Sequence, residues 1–180
     1  NLSGTVTTCT ATAAGNIVTY IGASPTVKAT TYHHLQVVGN DLATLGANTT
    51  INGDLNLKNG ASLSLGTRTI TLKGNFVSTS TATSPLVSGT GTLSFTGTTE
   101  QNISSATPLS LYNMTINKAS GDVHLNVNTN IANSLTLTLG DVDLNGYTIN
   151  LSTTGALVSE SETARVKGAT GSIVATRNVG

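Results

Sequence analysis

Between Thr49 and Leu151 the chain repeats one local rule: an apolar residue, a polar residue, an apolar residue, then a corner. Ile51, Leu55 and Leu57 follow it, as do Leu63 and Leu65, then Ile70 and Leu72. Further on come Leu93 and Phe95, Met114 and Ile116, then Val123, Leu125 and Val127. Leu135, Leu137 and Leu139, then Val142 and Leu144, then Ile149 and Leu151 complete the series. A period of two sends successive side chains to opposite faces of an extended chain, so each run reads as a short strand with one face inward. Gly or Asn-Gly separates the runs at Asn52-Gly53, Asn59-Gly60, Gly66, Gly140 and Asn145-Gly146. These residues tolerate positive φ and permit sharp corners. No window carries the i, i+3, i+4, i+7 apolar pattern of a helix. The best helical composition is Ser159–Lys167, which reads as a loop between strands.

Composition narrows the core. The aromatic share is 3% and Trp is absent, so the interior must be thin and built from Leu, Ile and Val. Thr is roughly one residue in five, as β-branched side chains favour strands. Charged residues make up only 9% and balance to zero, against about 25% in ordinary domains. With no basic stripe, neither nucleic acid nor an anionic membrane surface is an expected partner. No apolar run reaches the about 18 residues that a spanning helix needs, and no signal peptide begins at Asn1.

A longer similarity overlies the short one. Thr49–Leu72 (TTINGDLNLKNGASLSLGTRTITL) resembles Thr129–Leu151 (TNIANSLTLTLGDVDLNGYTINL), matching Ile51 with Ile131, Leu55 with Leu135 and Leu57 with Leu137. Allowing one deletion, Leu65 matches Leu144, Ile70 matches Ile149 and Leu72 matches Leu151. Val18–Val27 likewise resembles Leu93–Ile103, and His33–Val37 resembles Tyr112–Ile116. The expected organisation is one β-repeat module over 1–180. Its internal repeats cover approximately 18–92 and 93–151, and 152–180 opens a further segment or cap. Stacked rungs of a repeat share one apolar column that a single rung cannot bury. The predicted fold is therefore all-β: a parallel β-helix, or β-solenoid, expected to be right-handed as parallel crossovers generally are. A β-sandwich with two similar halves is the alternative.

The stretches GNIVTYIGASPTVKATTYHHLQVVGNDLATLGANTTINGDLNL, LSFTGTTEQNISSATPLSLYNMTI and TINKASGDVHLNVNTNIANSLTLTLGDVDLNGYTINL carry a family resemblance. They are similar to the repeat region of large secreted surface proteins of the Bacteroidetes, and ARVKGATGSIVATRNVG resembles the segment that often follows. The resemblance implies export to the cell surface, often by the type IX route, and a longer parent chain. It also implies an adhesin, stalk or filament role without catalysis. Open solenoid ends would expose unpaired strand edges, so other copies or flanking repeats of the same chain are the expected partners, with surface glycans as further contacts of the outward hydroxyls and amides.

Several residues of types that carry chemistry elsewhere stand in the chain. Asp141, Asp143 and Asn145 with Gly146 spell the start of a calcium loop. Ser152 stands where such a loop needs a bidentate Glu, and Thr148 where it needs an apolar residue. A strand followed by an Asn-Gly corner accounts for them, with Asp141 and Asp143 sharing the outward face. His33 and His34 are adjacent, which in a strand sends the rings to opposite faces, and His124 has no evident ligand beside it. Glu160 and Glu162 alternate as a glycosidase pair would, but among Arg165 and Lys167 they read as solvated loop charges. Asp54, Lys58, Arg68 and Lys73 would have to converge to cleave an acidic polysaccharide. Cys9 reads as a half-buried strand residue, not a nucleophile. T-x-T steps at Thr5/Thr7, Thr67/Thr69, Thr96/Thr98 and Thr136/Thr138 hint at an ice-binding ladder, though their spacing is irregular. The N-x-S/T sequons at Asn48, Asn102, Asn113 and Asn150 are expected by chance in such a composition. No catalytic, cofactor-binding or metal-binding residue is therefore assigned, and no cofactor is expected.

Overall fold

The computed structural model describes residues 9–177. Among them every strand-to-strand pairing is parallel, and the one antiparallel contact is an isolated bridge between Ser161 and Ala164. The chain winds as a parallel β-helix, which excludes the sandwich alternative.

Each coil passes through up to three faces in turn. The first face stacks β1 (Ile17–Ile21), β4 (His34–Gly39), β7 (Leu55–Asn59), β10 (Phe76–Ser78), β13 (Gln101–Ser105), β15 (Val123–Leu125), β17 (Val142–Asp143) and β20 (Val166–Lys167). The second face stacks β2 (Thr26–Val27), β5 (Leu42–Leu45), β8 (Ser62–Ser64) and β11 (Leu86–Val87). The third face stacks β3 (Thr31–Tyr32), β6 (Thr49–Ile51), β9 (Thr69–Leu72), β12 (Thr92–Phe95), β14 (Leu109–Asn117), β16 (Thr129–Leu139), β18 (Thr148–Asn150) and β21 (Ser172–Val174). A further strand, β19 (Ala156–Val158), also pairs with β16. In later coils the long strands β14 and β16 run round a corner without a break, marked by an irregularity in their register between Leu111 and Asn113.

Like stacks on like inside. On the first face Leu35 partners Leu55, Leu55 partners Phe76, Phe76 partners Ile103 and Ile103 partners Leu125. On the third face Ile51, Leu72, Phe95, Ile116 and Leu137 form one column, and Ile70, Leu93, Met114 and Leu135 a second. All of these are fully buried. Burying each such side chain contributes about 1.5–3 kcal/mol, which is how a core without Trp holds the coil together.

The alternation places nearly every apolar residue of the sequence reading inward. Leu139 is the exception: it is 40% exposed. Ile116 pairs with Leu137 but Asn117 pairs with Leu139, so one extra residue enters β16 and turns Leu139 out to solvent. Ser159–Lys167 holds no helix; it is an exposed turn closed by the Ser161 amide donating to the Ala164 carbonyl at 2.8 Å, followed by β20. Of the residues matched between the two long repeats, Leu55 lies on the first face and Leu135 on the third. Leu65 and Leu144 open the same kind of corner, their carbonyls accepting from the Arg68 and Tyr147 amides at 2.9 and 2.8 Å.

The predicted corners do adopt positive φ at Asn59, Gly66, Gly140, Asn145 and Gly146. Packing adds a second reason for glycine. Gly89, at φ +55°, lies directly against Gly66 of the coil before, and a Cβ there would overlap the Gly66 carbonyl. Corners stack as closely as strands do, and only the smallest residue fits both.

Candidate functional site

The alternation that buries Ile103 and Ile116 also turns Gln101 and Lys118 inward. Both are buried, Lys118 to 1% exposure. Gln101 Nε2 donates to the Leu72 carbonyl at 3.1 Å and to the Gly74 carbonyl, while its Oε1 accepts from the Gly97 amide at 2.8 Å. Lys118 Nζ donates to Gln101 Oε1 at 2.8 Å, to the Gly97 carbonyl at 2.9 Å and to the Thr99 carbonyl at 2.8 Å. All three donors of the ammonium are thus used. Burial nonetheless pushes the Lys118 amine down to about 8, Asp122 opposing the shift in part. The pair staples three successive coils at the corner between the third and first faces.

Beside this corner lies an open groove of about 310 Å³, lined in part by Lys118, Asp122, Gly140, Asp141, Glu162 and Thr163. Its carboxylates are already engaged. Lys167 Nζ lies 2.8 Å from Asp122 Oδ2 and 3.1 Å from Asp141 Oδ2, and these two contacts raise its pKa. Asp141 Oδ1 accepts from the Arg165 amide at 3.1 Å. A lysine ammonium therefore stands where a cation would bridge the two carboxylates.

One outer column of the first face is a continuous polar ladder. Asn102, His124, Asp143 and Lys167 are register partners in successive coils. The Asp54 amide donates to His34 Nδ1 at 2.8 Å, the Asn75 amide to Asp54 Oδ1 at 2.7 Å, and the Asn102 amide to Asn75 Oδ1 at 2.8 Å. Asn126 Nδ2 donates to Asn102 Oδ1 and Asn145 Nδ2 to Asn126 Oδ1, both at 3.0 Å. Side chains of one coil thus satisfy amides and side chains of the next, which locks the register between coils.

The calcium-like residues belong to this ladder. Asp141 and Asp143 do flank buried Val142 on the outward side. Asp143 Oδ1 accepts from the Asn145 amide at 2.9 Å, a turn closed by its own side chain, and Asn145 has φ +48°. Among the described residues no group of three or more His, Cys, Asp or Glu side chains is placed to hold a metal ion.

Two readings of the histidines are corrected. His33 and His34 do not diverge: their ring centroids lie 4.3 Å apart at 70°. The chain turns at His33, between β3 and β4, so strand alternation does not govern the pair. His124 also has acidic neighbours, with Glu100 Oε1 3.5 Å from Nε2 and Asp143 Oδ2 3.6 Å from Nδ1. Glu160 and Glu162 are exposed and part ways: Glu160 Oε1 accepts from the Val166 amide at 3.2 Å, and Glu162 Oε2 lies 3.6 Å from Arg165 Nη1. Asp54 and Lys58 sit at opposite ends of the first-face segment, while Arg68 and Lys73 stand before and after β9. Cys9 is half-buried against the core. Thr5 and Thr7 lie outside the described residues; Thr67 and the Thr96/Thr98 pair fall outside the strands, and only Thr136/Thr138 lies within one. Of the sequons, Asn102, Asn113 and Asn150 lie within β13, β14 and β18, and Asn48 just before β6.

Gln101 and Lys118 went unnoticed in the sequence reading. Their signal was there: each continues an inward alternation, Gln101 before Ile103 and Lys118 after Ile116. No protein-family model, curated protein or solved structure matches the chain.

Proposed function

We propose that the chain is a structural, non-catalytic module of a secreted cell-surface adhesin or extracellular filament, serving as a rigid stalk. The observation that carries this reading is the unbroken parallel register of the first face, β1 through β20. In such a stack the backbone hydrogen bonds lie along the long axis, the direction in which a stalk is loaded. The interlocked ladder of His34, Asp54, Asn75, Asn102 and Asn126 adds side-chain bonds along the same axis. The absence of catalysis is supported by the engagement of the charged groups with one another, above all Asp122 and Asp141 with Lys167. Polysaccharide cleavage is the second reading, and the groove beside those carboxylates is where it would occur.

The partners follow from the same geometry. Among the described residues β20 and β21 each pair on one side only, and their inward residues Val166 and Ile173, like Leu157 of β19, stay half-buried. A further coil, from flanking repeats or another copy, would cover them and the open strand edges. An antibody raised against the chain is expected to label intact cells of the source organism, and brief external proteolysis should remove the label. Labelling only after permeabilisation would contradict a surface location.

A further inference from the structure

The outer side of the third face differs from that of the first in a way the stalk reading does not explain. Thr31, Thr50, Thr71, Ser94, Thr115 and Thr136 are register partners in six successive coils. Beside them runs a second column, Thr69, Thr92, Asn113 and Ser134. The two columns together repeat a two-residue step on four neighbouring strands: Thr69/Thr71, Thr92/Ser94, Asn113/Thr115 and Ser134/Thr136. The register shifts of β14 fall outside this region, between Leu111 and Asn113 and between Ile116 and Asn117, so the columns run unbroken. Parallel-strand geometry sets the array at about 4.8 Å between coils and about 6.6 Å along each strand.

Chemistry separates this array from the ladder opposite. Every member is uncharged, whereas the first face carries Asp54, Lys58, His124, Asp143 and Lys167. In the first column the hydroxyls of Thr50, Thr71, Ser94, Thr115 and Thr136 have no hydrogen-bond partner among the described residues; in the second, Ser134 Oγ donates to Asn113 Oδ1 at 2.9 Å, and the first-face side chains largely satisfy one another. These hydroxyls are therefore free to hold water, and the half-exposed Thr methyl groups between them limit how that water can orient. A charged side chain would impose its own hydration shell; no member of either column carries one, and the exposed Arg68 and Lys73 stand just beyond the ends of β9. The backbone that fixes the spacing is a rigid stack, so water ordered on the face pays no ordering cost in the protein.

We propose that this face binds ice: the column of free hydroxyls, with the second column in register beside it, holds water at spacings close to the oxygen repeats of hexagonal ice, and the array docks to a crystal surface. The first column spans five coil-to-coil steps, about 24 Å, and the second spans three, about 14 Å, enough for many weak contacts to act at once. No aromatic ring stands in either column, so the face lacks the stacking platform a soluble sugar would use.

The test uses the whole chain, fluorescently labelled, in ice-affinity partition onto a slowly growing ice surface, with thermal hysteresis measured in parallel. The native chain is expected to enter the ice and to depress the freezing point below the melting point. Thr71→Tyr and Thr92→Lys, both mid-array, are expected to abolish both effects while circular dichroism stays that of the native coil. Asn56→Tyr, on the first face, is expected to leave both unchanged. Thr71→Val, which keeps the shape and removes one hydroxyl, guards against a bulky variant that fails to fold and should weaken partition. Exclusion of the native chain from ice would overturn the proposal, and so would equal loss in Asn56→Tyr. Binding to an insoluble polysaccharide that the third-face variants abolish, without any partition into ice, would also overturn it and reassign the face to glycans.

Discussion

Replacing Phe76 with Ala is expected to destabilise the chain by about 3–5 kcal/mol in urea denaturation, the usual range for emptying a buried aromatic site. The reason lies in its neighbours. Phe76 is fully buried and stands between its register partners Leu55 and Ile103, one coil to either side. A coil held on both sides by parallel ladders has little freedom to collapse into the space left behind, so the cavity term should persist. The first-face column from Leu35 to Leu125 contains no second aromatic, and its members above and below Phe76 are Leu55 and Ile103. A loss well below 2 kcal/mol would mean that the column is looser than close stacking requires.

Lys118→Met is expected to destabilise the chain at neutral pH and, more tellingly, to change how stability depends on pH. Two effects oppose each other at pH 7. Methionine removes an ammonium whose burial is costly, but strands the buried Gly97 carbonyl and the part-buried Thr99 carbonyl, and leaves Gln101 Oε1 with the Gly97 amide as its one remaining donor. An unsatisfied buried acceptor costs about 1–3 kcal/mol, so the two stranded carbonyls together outweigh the desolvation that is relieved, and a net loss of about 2 kcal/mol follows. The pH dependence has a definite sign. In the folded chain the amine sits at about 8 against the ordinary 10.5 of the unfolded chain. Below about 8 both states hold the proton and the burial penalty is fully present. Between about 8 and 10.5 the unfolded chain binds more protons, so raising the pH favours the folded state. The stability gap between native and Lys118→Met chains should therefore widen by up to about 3 kcal/mol across that interval. A gap that stays constant with pH would show that the amine does not titrate there.

Much of the fold was legible because alternation is a local property. Leu55, Leu57, Ile70 and Leu72 declare their inward direction within a few residues, and Asn59, Gly66 and Asn145 declare their corners. What alternation cannot give is the length of each coil or the face on which a strand lies. Leu55 steps to Phe76, but Phe76 steps to Ile103 over a longer path, lengthened before Leu86 and more so between Leu93 and Ile103, and nothing in the strand pattern fixes that length. The matched leucines Leu55 and Leu135 read alike in sequence and lie on different faces. The hydroxyl columns were hidden for the same reason. A T-x-T step such as Thr67/Thr69 is visible along the chain but falls partly outside the strands, whereas Thr50 and Thr71 meet only once the register of β6 and β9 is known. At the Gln101–Lys118 staple the residues were in plain sight, but polar side chains in an inward position read as interruptions until their carbonyl partners are located.

The most direct test of the account is the coil-to-coil register, read by paired cysteines in a Cys9→Ser background. Asn56 and Val77 are in-register partners on the outer first face, as are Val77 and Ser104. At about 4.8 Å between neighbouring parallel strands, such pairs lie within disulfide reach. Asn56→Cys with Val77→Cys, and Val77→Cys with Ser104→Cys, should each oxidise to an internal disulfide, whereas Asn56→Cys with Ser104→Cys, two coils apart, should stay reduced. Failure of both neighbouring pairs to close, or ready closure of the distant one, would contradict the parallel coil on which the stalk and the ice-binding face both depend.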